Sequence, residues 1–178
     1  MAPRRRPPPR GFTLIEILVV VVILAVLAAA VSIALSGAGG ERQLEREAER
    51  LQALLGYACE HAEIGGKPVG LSLVENGYLF GQPNPDPAQP GGETWKTIAK
   101  GELRQREWPR NLRAELSRDG RRVEITSQPP QRPQIVCFAS GELTPFRLEL
   151  GLPDLNLRWR LELAADGSVT RERRDGSR

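Results

Sequence analysis

Residues 11–35 read GFTLIEILVVVVILAVLAAAVSIAL, and the organisation of the chain follows from how this stretch is interpreted. After Gly11, only Thr13, Glu16 and Ser32 interrupt the apolar run. As a helix, residues 12–35 would span about 36 Å, enough to cross a hydrocarbon core about 30 Å thick. The preceding residues contain Arg4, Arg5, Arg6 and Arg10 among prolines, and no acidic side chain. Proline prevents a stable helix there, and the arginines hold the amino terminus on the cytoplasmic side. Residues 1–11 are thus predicted as a basic leader, 12–35 as a transmembrane helix, and the remainder as exported.

The same leader determines the charge balance. Of 25 basic side chains, four lie before Gly11, so its loss leaves 21 against 22 acidic ones. A nearly neutral product argues against nucleic-acid binding through bulk charge. Two other topologies compete. A cleaved signal peptide would use Ala28-Ala29-Ala30, but the apolar run is long for one, a carboxylate sits near its start, and apolar periodicity continues beyond it. An uncleaved signal anchor would leave a periplasmic binding protein.

Ser36-Gly37-Ala38-Gly39-Gly40 is predicted to interrupt the helix, since each interior glycine costs about 1 kcal/mol relative to alanine. Helical pattern resumes at Glu41. Leu44, Ala48, Leu51, Leu55, Ala58 and Ala62 form one apolar stripe, which predicts an amphipathic helix over 36–64 packed on a sheet. Gly65-Gly66 ends it. From Val69 the period falls to two. Asn76-Gly77, Asp119-Gly120 and Asp166-Gly167 separate alternating runs and predict hairpins. Ile135–Phe138 is read as a central strand. The prolines in 82–92 and 128–133 are read as loops, and 171–178 as a solvated tail. Residues 65–178 are therefore expected to form an antiparallel β-sheet or sandwich. The fold class is α+β, with a long amino-terminal helix whose first half is membrane-embedded and whose second half packs on the β domain.

The chemistry-bearing residues are few. Cys59 and Cys137 form either a disulfide, which an oxidising compartment permits, or two separate buried thiols. His61 stands alone on the helix, and the two cysteines lack zinc-site spacing, so no metal is expected. Asn84 and Asp86 are too few oxygens for a calcium loop. Nucleophile-elbow, P-loop and dinucleotide motifs are absent, which predicts neither enzyme nor cofactor.

The strongest signal is the order of Gly11, Phe12, Thr13, Leu14 and Glu16. A carboxylate near the head of a membrane helix costs roughly 2.5–3.5 kcal/mol and needs a partner. Cleavage between Gly11 and Phe12 would create an amine that Glu16, the fifth residue after the cut, can reach on its own chain or on a neighbour's. The stretch from Arg10 to Leu35 resembles the start of type IV prepilins and of type II secretion pseudopilins. That resemblance implies cleavage after Gly11 by a cytoplasmic-side prepilin peptidase, N-methylation of Phe12, and packing of the apolar helices in a filament core. Many such proteins carry a proline within the helix, whereas none lies between Phe12 and Leu35 here.

The helix from Glu41 to Ile64 and the segment Gly141-Glu142-Leu143-Thr144-Pro145-Phe146 are similar to the H-type minor pseudopilins. The resemblance implies a pilin-like fold, anchored by a single pass in a bacterial inner membrane with its domain in the periplasm. It implies assembly with other minor and major pseudopilins and with the inner-membrane secretion platform, near the tip of a pseudopilus that exports folded proteins. Glu16 and the small size set the chain apart from the large K-type tip subunit. A minor pilin of a type IV pilus or DNA-uptake machine is the alternative, with Arg171, Arg173, Arg174 and Arg178 as its DNA contacts.

Overall fold

The computed structural model describes residues 13–85, 93–164 and 166–175, the side chains of 30–38 and 93 excepted. The chain divides into two compact units, Met1–Gly39 and Gly40–Arg178. Helix α1 (Leu14–Gly65) begins in the first and ends in the second. Its backbone remains helical through residues 36–40, so the predicted interruption does not occur. Extending a helix adds one hydrogen bond per residue, whereas restarting it requires a second nucleus. That difference outweighs the glycine cost.

In the first unit, Thr13 caps the helix. Its Oγ1 accepts the Glu16 amide at 3.3 Å, and its carbonyl accepts the Ile17 amide at 3.3 Å. In the second unit, the six stripe residues from Leu44 to Ala62 are all buried, as their spacing predicts. At the carboxyl end the Lys67 amide donates to the Ala62 carbonyl at 3.2 Å and the Gly66 amide to Glu63 at 3.4 Å. This 6→1 and 5→2 pair is a Schellman motif. It needs the left-handed φ of +61° that Gly66 adopts, and Pro68 follows.

Ten strands follow: β1 (Val69–Val74), β2 (Gly77–Pro85), β3 (Glu93–Thr97), β4 (Arg106–Glu107), β5 (Arg113–Arg118), β6 (Arg121–Val123), β7 (Ile135–Cys137), β8 (Arg147–Gly151), β9 (Leu157–Leu163) and β10 (Val169–Asp175). They form two antiparallel sheets. The first has the order β3-β2-β1-β7, with β4 also on β2, and the second β10-β9-β8-β5-β6. Leu51 and Leu55 of the helix, Leu71 and Phe80 of the first sheet, and Leu148 and Leu161 of the second belong to one buried cluster. The structure is therefore α+β, a helix on antiparallel sheets.

Four local expectations are corrected. Among the described strands β7 pairs with β1 alone and stands at the sheet edge, with Cys137 bridged on its other side to Leu143, and Phe138 lies beyond it, half exposed. Its apolar run reflects cover from the helix and from the segment that follows it. Strand β1 is buried at every position instead of alternating, because its second face is also covered. A Cβ on Gly70 would overlap Pro133 and crowd Trp95. Residues 82–85 belong to β2 despite Pro83 and Pro85, while 86–92 lie outside the described residues. Finally, 171–175 form most of β10 in full register with β9, whereas 176–178 are not described.

Gln134 solves a problem left by the short β7. The Leu73 amide donates to its Oε1 at 2.9 Å, and its Nε2 donates to the Leu73 carbonyl at 3.1 Å. The side-chain amide thus extends the ladder by one backbone equivalent, as a buried strand requires.

Candidate functional site

Gly11 and Phe12, the expected cleavage pair, lie outside the described residues. Glu16 is described, in the first turn of α1. An anionic group there faces the positive end of the helix dipole. Thr13-Leu14-Ile15-Glu16 is also the sequence pattern of a capping box, S/T-x-x-E. The spacing carries this cap in the sequence alone, beside the pairing with an amine that the leader junction suggests.

Beyond this cap the helix exposes apolar side chains on every side, from Leu14 at 85% to Leu27 at 56%. A continuous apolar surface of this kind marks contact with lipid or with other helices. No helix among the described residues is long and apolar enough to cross a membrane. The side chains described within the expected span are those of residues 13–29, so that expectation extends past them.

In the second unit, three linkages tie the helix to the sheets. Cys59 of α1 and Cys137 of β7 are joined in a disulfide, with Cα atoms 5.1 Å apart across a sequence separation of 78 residues. Beside it, Gly141-Glu142-Leu143-Thr144-Pro145-Phe146 folds back on β7. The Thr144 amide donates to the Val136 carbonyl at 2.9 Å, and the Val136 amide donates to Thr144 Oγ1 at 3.1 Å. Gly141 has φ +83° and lies against Glu63 of the helix, while Leu143 and Phe146 are buried. This segment therefore clamps the edge strand and the end of the helix together.

The second linkage is polar and was not anticipated. Glu47 is only 3% exposed. It accepts the Tyr78 hydroxyl at 3.2 Å and pairs with Arg50. Burial, and next the negative charge of Glu47, push the Tyr78 hydroxyl above its usual pKa of 10.0. Trp108 packs on Tyr78 at 4.7 Å and donates Nε1 to the Val74 carbonyl at 3.1 Å. In the sequence Glu47 looked like one charge among Arg46, Glu49 and Arg50. The only hint was its place beside Ala48 in the apolar stripe.

The third linkage uses β10. Gln52 donates to the Val169 carbonyl at 2.7 Å, Arg171 donates to the Glu45 carbonyl at 3.4 Å, and Arg173 lies 4.0 Å from Glu41. Arg171 also covers the Trp159 ring at 4.7 Å. Two of the arginines considered as DNA contacts thus face the helix. His61 stacks on Tyr57 at 6.2 Å between ring centres. Among the described residues, no three His, Cys, Asp or Glu side chains converge as a metal site would require.

Comparison with known proteins adds the following. Residues 7–32 match the family model for the prokaryotic N-terminal methylation motif, and residues 47–167 match that for type II transport protein GspH. The chain is 30% identical over 172 residues to type II secretion system protein H of Aeromonas hydrophila, covering 91% of each. It is 33% identical over 149 residues to the protein of that name from Pseudomonas aeruginosa, covering 79% of this chain and 82% of the other. Among solved structures, the minor pseudopilin EpsH of Vibrio cholerae aligns with TM-score 0.54 at 19% identity, over 73% of this chain and 96% of its own. The solution structure of GspH from Escherichia coli aligns with TM-score 0.55 at 22% identity, over 76% and 89%. These structural likenesses establish a shared fold.

Proposed function

The chain belongs to the type II transport protein GspH family, and from that premise we propose that it is a minor pseudopilin placed near the tip of a periplasmic pseudopilus. In this reading the pseudopilus drives folded proteins across the outer membrane. The observation that carries it is the presence in one chain of a methylation motif at 7–32 and a GspH domain at 47–167.

Assembly follows from the helix. A prepilin peptidase cuts between Gly11 and Phe12, and the new amine of Phe12 is methylated and remains cationic. Glu16 then pairs with that amine on its own chain or on the next subunit. A single polar pair gives register to an interface that is otherwise uniformly apolar, as one buried asparagine does in a coiled coil. The exposed apolar stretch from Leu14 is held by the inner membrane before assembly and by neighbouring pseudopilin helices after it. The domain stays in the periplasm, where an oxidising milieu maintains the Cys59–Cys137 bond. Its partners are other minor and major pseudopilins and the inner-membrane secretion platform. The domain works as a scaffold with no enzymatic step of its own.

Mass spectrometry of the mature protein from cells with and without the peptidase tests this reading. The expected product starts at Phe12 and carries one added methyl group. An unprocessed amino terminus in peptidase-positive cells would instead favour a signal-anchored protein.

A further inference from the structure

The outer face of the second sheet carries its charges in rows. Residues opposed in register share a face, and Arg174 is opposed to Arg158, Arg158 to Gly151, and Gly151 to Arg113. Three guanidinium groups therefore stand in one row across four strands. Arg174 and Arg158 are directly opposed, a like-charge placement that disfavours the sheet locally, while Gly151 separates Arg158 from Arg113. The next row along the same strands is Glu172, Arg160, Glu149 and Glu115, three acids against one base, whose excess is met partly from the basic row itself. There Arg160 Nη2 meets Glu149 Oε1 at 2.7 Å.

The basic row is held more loosely. Arg113 makes no ion pair among the described residues. Arg158 reaches Glu115 and Glu149 only at 3.6 and 3.5 Å, and Arg174 turns to Glu172 at 3.1 Å along its own strand. Gly151 leaves the middle of the row without a side chain, and a groove of about 520 Å³ opens there, edged by Leu152, Pro153 and Leu155. Glu115, Glu149 and Asp175 also line it. Its net charge is therefore modest, and recognition depends on the placement of the three arginines.

The position of the groove indicates its ligand. The place a Cβ would take on Gly40 lies 3.2 Å from Leu155 Cδ1 and 3.5 Å from Leu152 Cδ1. The groove thus sits at the end of the second unit where the chain arrives from its apolar stretch. Guanidinium groups bind phosphate oxygens in bidentate fashion, and basic residues beside a membrane segment attract anionic lipid.

We infer that the Arg113–Arg158–Arg174 row binds the phosphate of anionic phospholipid headgroups and docks this end of the domain on the bilayer before assembly. The inference rests on the reading that residues 12–35 hold the chain in a membrane. Arg113 and Arg158 grip the phosphate, while Leu152 and Pro153 enter the headgroup layer. Incorporation into a filament then requires the row to release lipid.

The full-length mature chain in phosphatidylcholine nanodiscs, with and without phosphatidylglycerol, provides the test. Hydrogen exchange of residues 151–158 should slow in the phosphatidylglycerol discs and recover at high salt. Arg113→Gln or Arg158→Gln should weaken that protection roughly fivefold each, the effect of one basic residue at an anionic surface. Arg121→Gln, away from the row, should leave it intact. Equal exchange in both kinds of disc overturns the inference while leaving the membrane reading in place. Protection by inorganic phosphate in phosphatidylcholine discs without any from phosphatidylglycerol also overturns it. So does protection that appears only when another pseudopilin is added. Failure of the chain to enter discs at all would remove the membrane reading and this inference together.

Discussion

The two halves of helix α1 are built on opposite rules. Between Leu14 and Leu27 the large apolar side chains are exposed on every side of the helix, whereas between Leu44 and Ala62 apolar side chains form one buried stripe. The second half specifies its own partner, since a stripe of limited width fits one sheet surface. The first half specifies only that water be excluded. Any lipid or apolar helix satisfies it, so register must come from a polar exception, and Glu16 is the polar side chain described within it beyond the capping Thr13. Patterning therefore serves the fold, and its absence serves assembly.

Breaking the polar exception should have the largest effect. Glu16→Ala removes a costly charge, so insertion should be normal, but on the proposed pairing the Phe12 amine loses its partner in the bundle. Loss of one member of a buried pair costs roughly 3–5 kcal/mol, which predicts incorporation into pseudopili lower by roughly two to four orders of magnitude. Cross-linking of filaments measures it, and normal incorporation of this variant would end the pairing role.

The disulfide sharpens the other side of the comparison. A bridge closing a loop of this size contributes about 4 kcal/mol in the chain-entropy account, so the Cys59→Ser/Cys137→Ser chain should unfold at clearly lower urea concentration. Non-reducing against reducing electrophoresis of the wild type should show the bond as a mobility difference.

Third, Leu51→Ala should cost about 3 kcal/mol in domain stability, since it opens a cavity at a fully buried site. Ile23→Ala on the same helix should cost none. Equal losses would dissolve the distinction between the halves.

The smallest effect belongs to Tyr78→Phe, which removes one hydrogen bond from buried Glu47 and should cost about 1–2 kcal/mol. It also carries a pH signature. The Tyr78 hydroxyl is raised above 10.0 in the folded state, so above that pH the folded state holds a proton that the unfolded chain has lost. Its contribution is therefore complete below pH 10 and declines as pH rises further. Alkaline unfolding curves should show this decline in the wild type and lack it in Tyr78→Phe.

What could be read from the sequence was local. The helix stripe, the Gly66 stop and the Asp119-Gly120 turn depend on neighbours within a few residues, and the turn adopts the left-handed φ values of +49° and +74° that such a pair favours. Gly77 shows where that reasoning thins. It follows the turn as expected, but the structure also requires glycine there because a Cβ would strike the Arg106 carbonyl of β4. A two-residue strand of Arg106 and Glu107 has no periodicity to detect. The Glu47–Tyr78 bond and the edge position of β7 were hidden for the same reason, since each depends on a residue distant in sequence. Strand β10 was hidden by its charges. Its alternation of Arg171 and Arg173 with Glu172 and Arg174 places two arginines toward the helix, a period of two written without apolar residues.

That last strand also constrains the order of events during synthesis. Arg171 and Glu45 are 126 residues apart, and Gln52 and Val169 are 117 apart, so the helix is latched by a strand made long after it. Contacts of such separation form slowly. Until β10 has been made, the stripe from Leu44 to Ala62 lacks part of its cover, and a chain halted before Val169 would present an open domain to proteases.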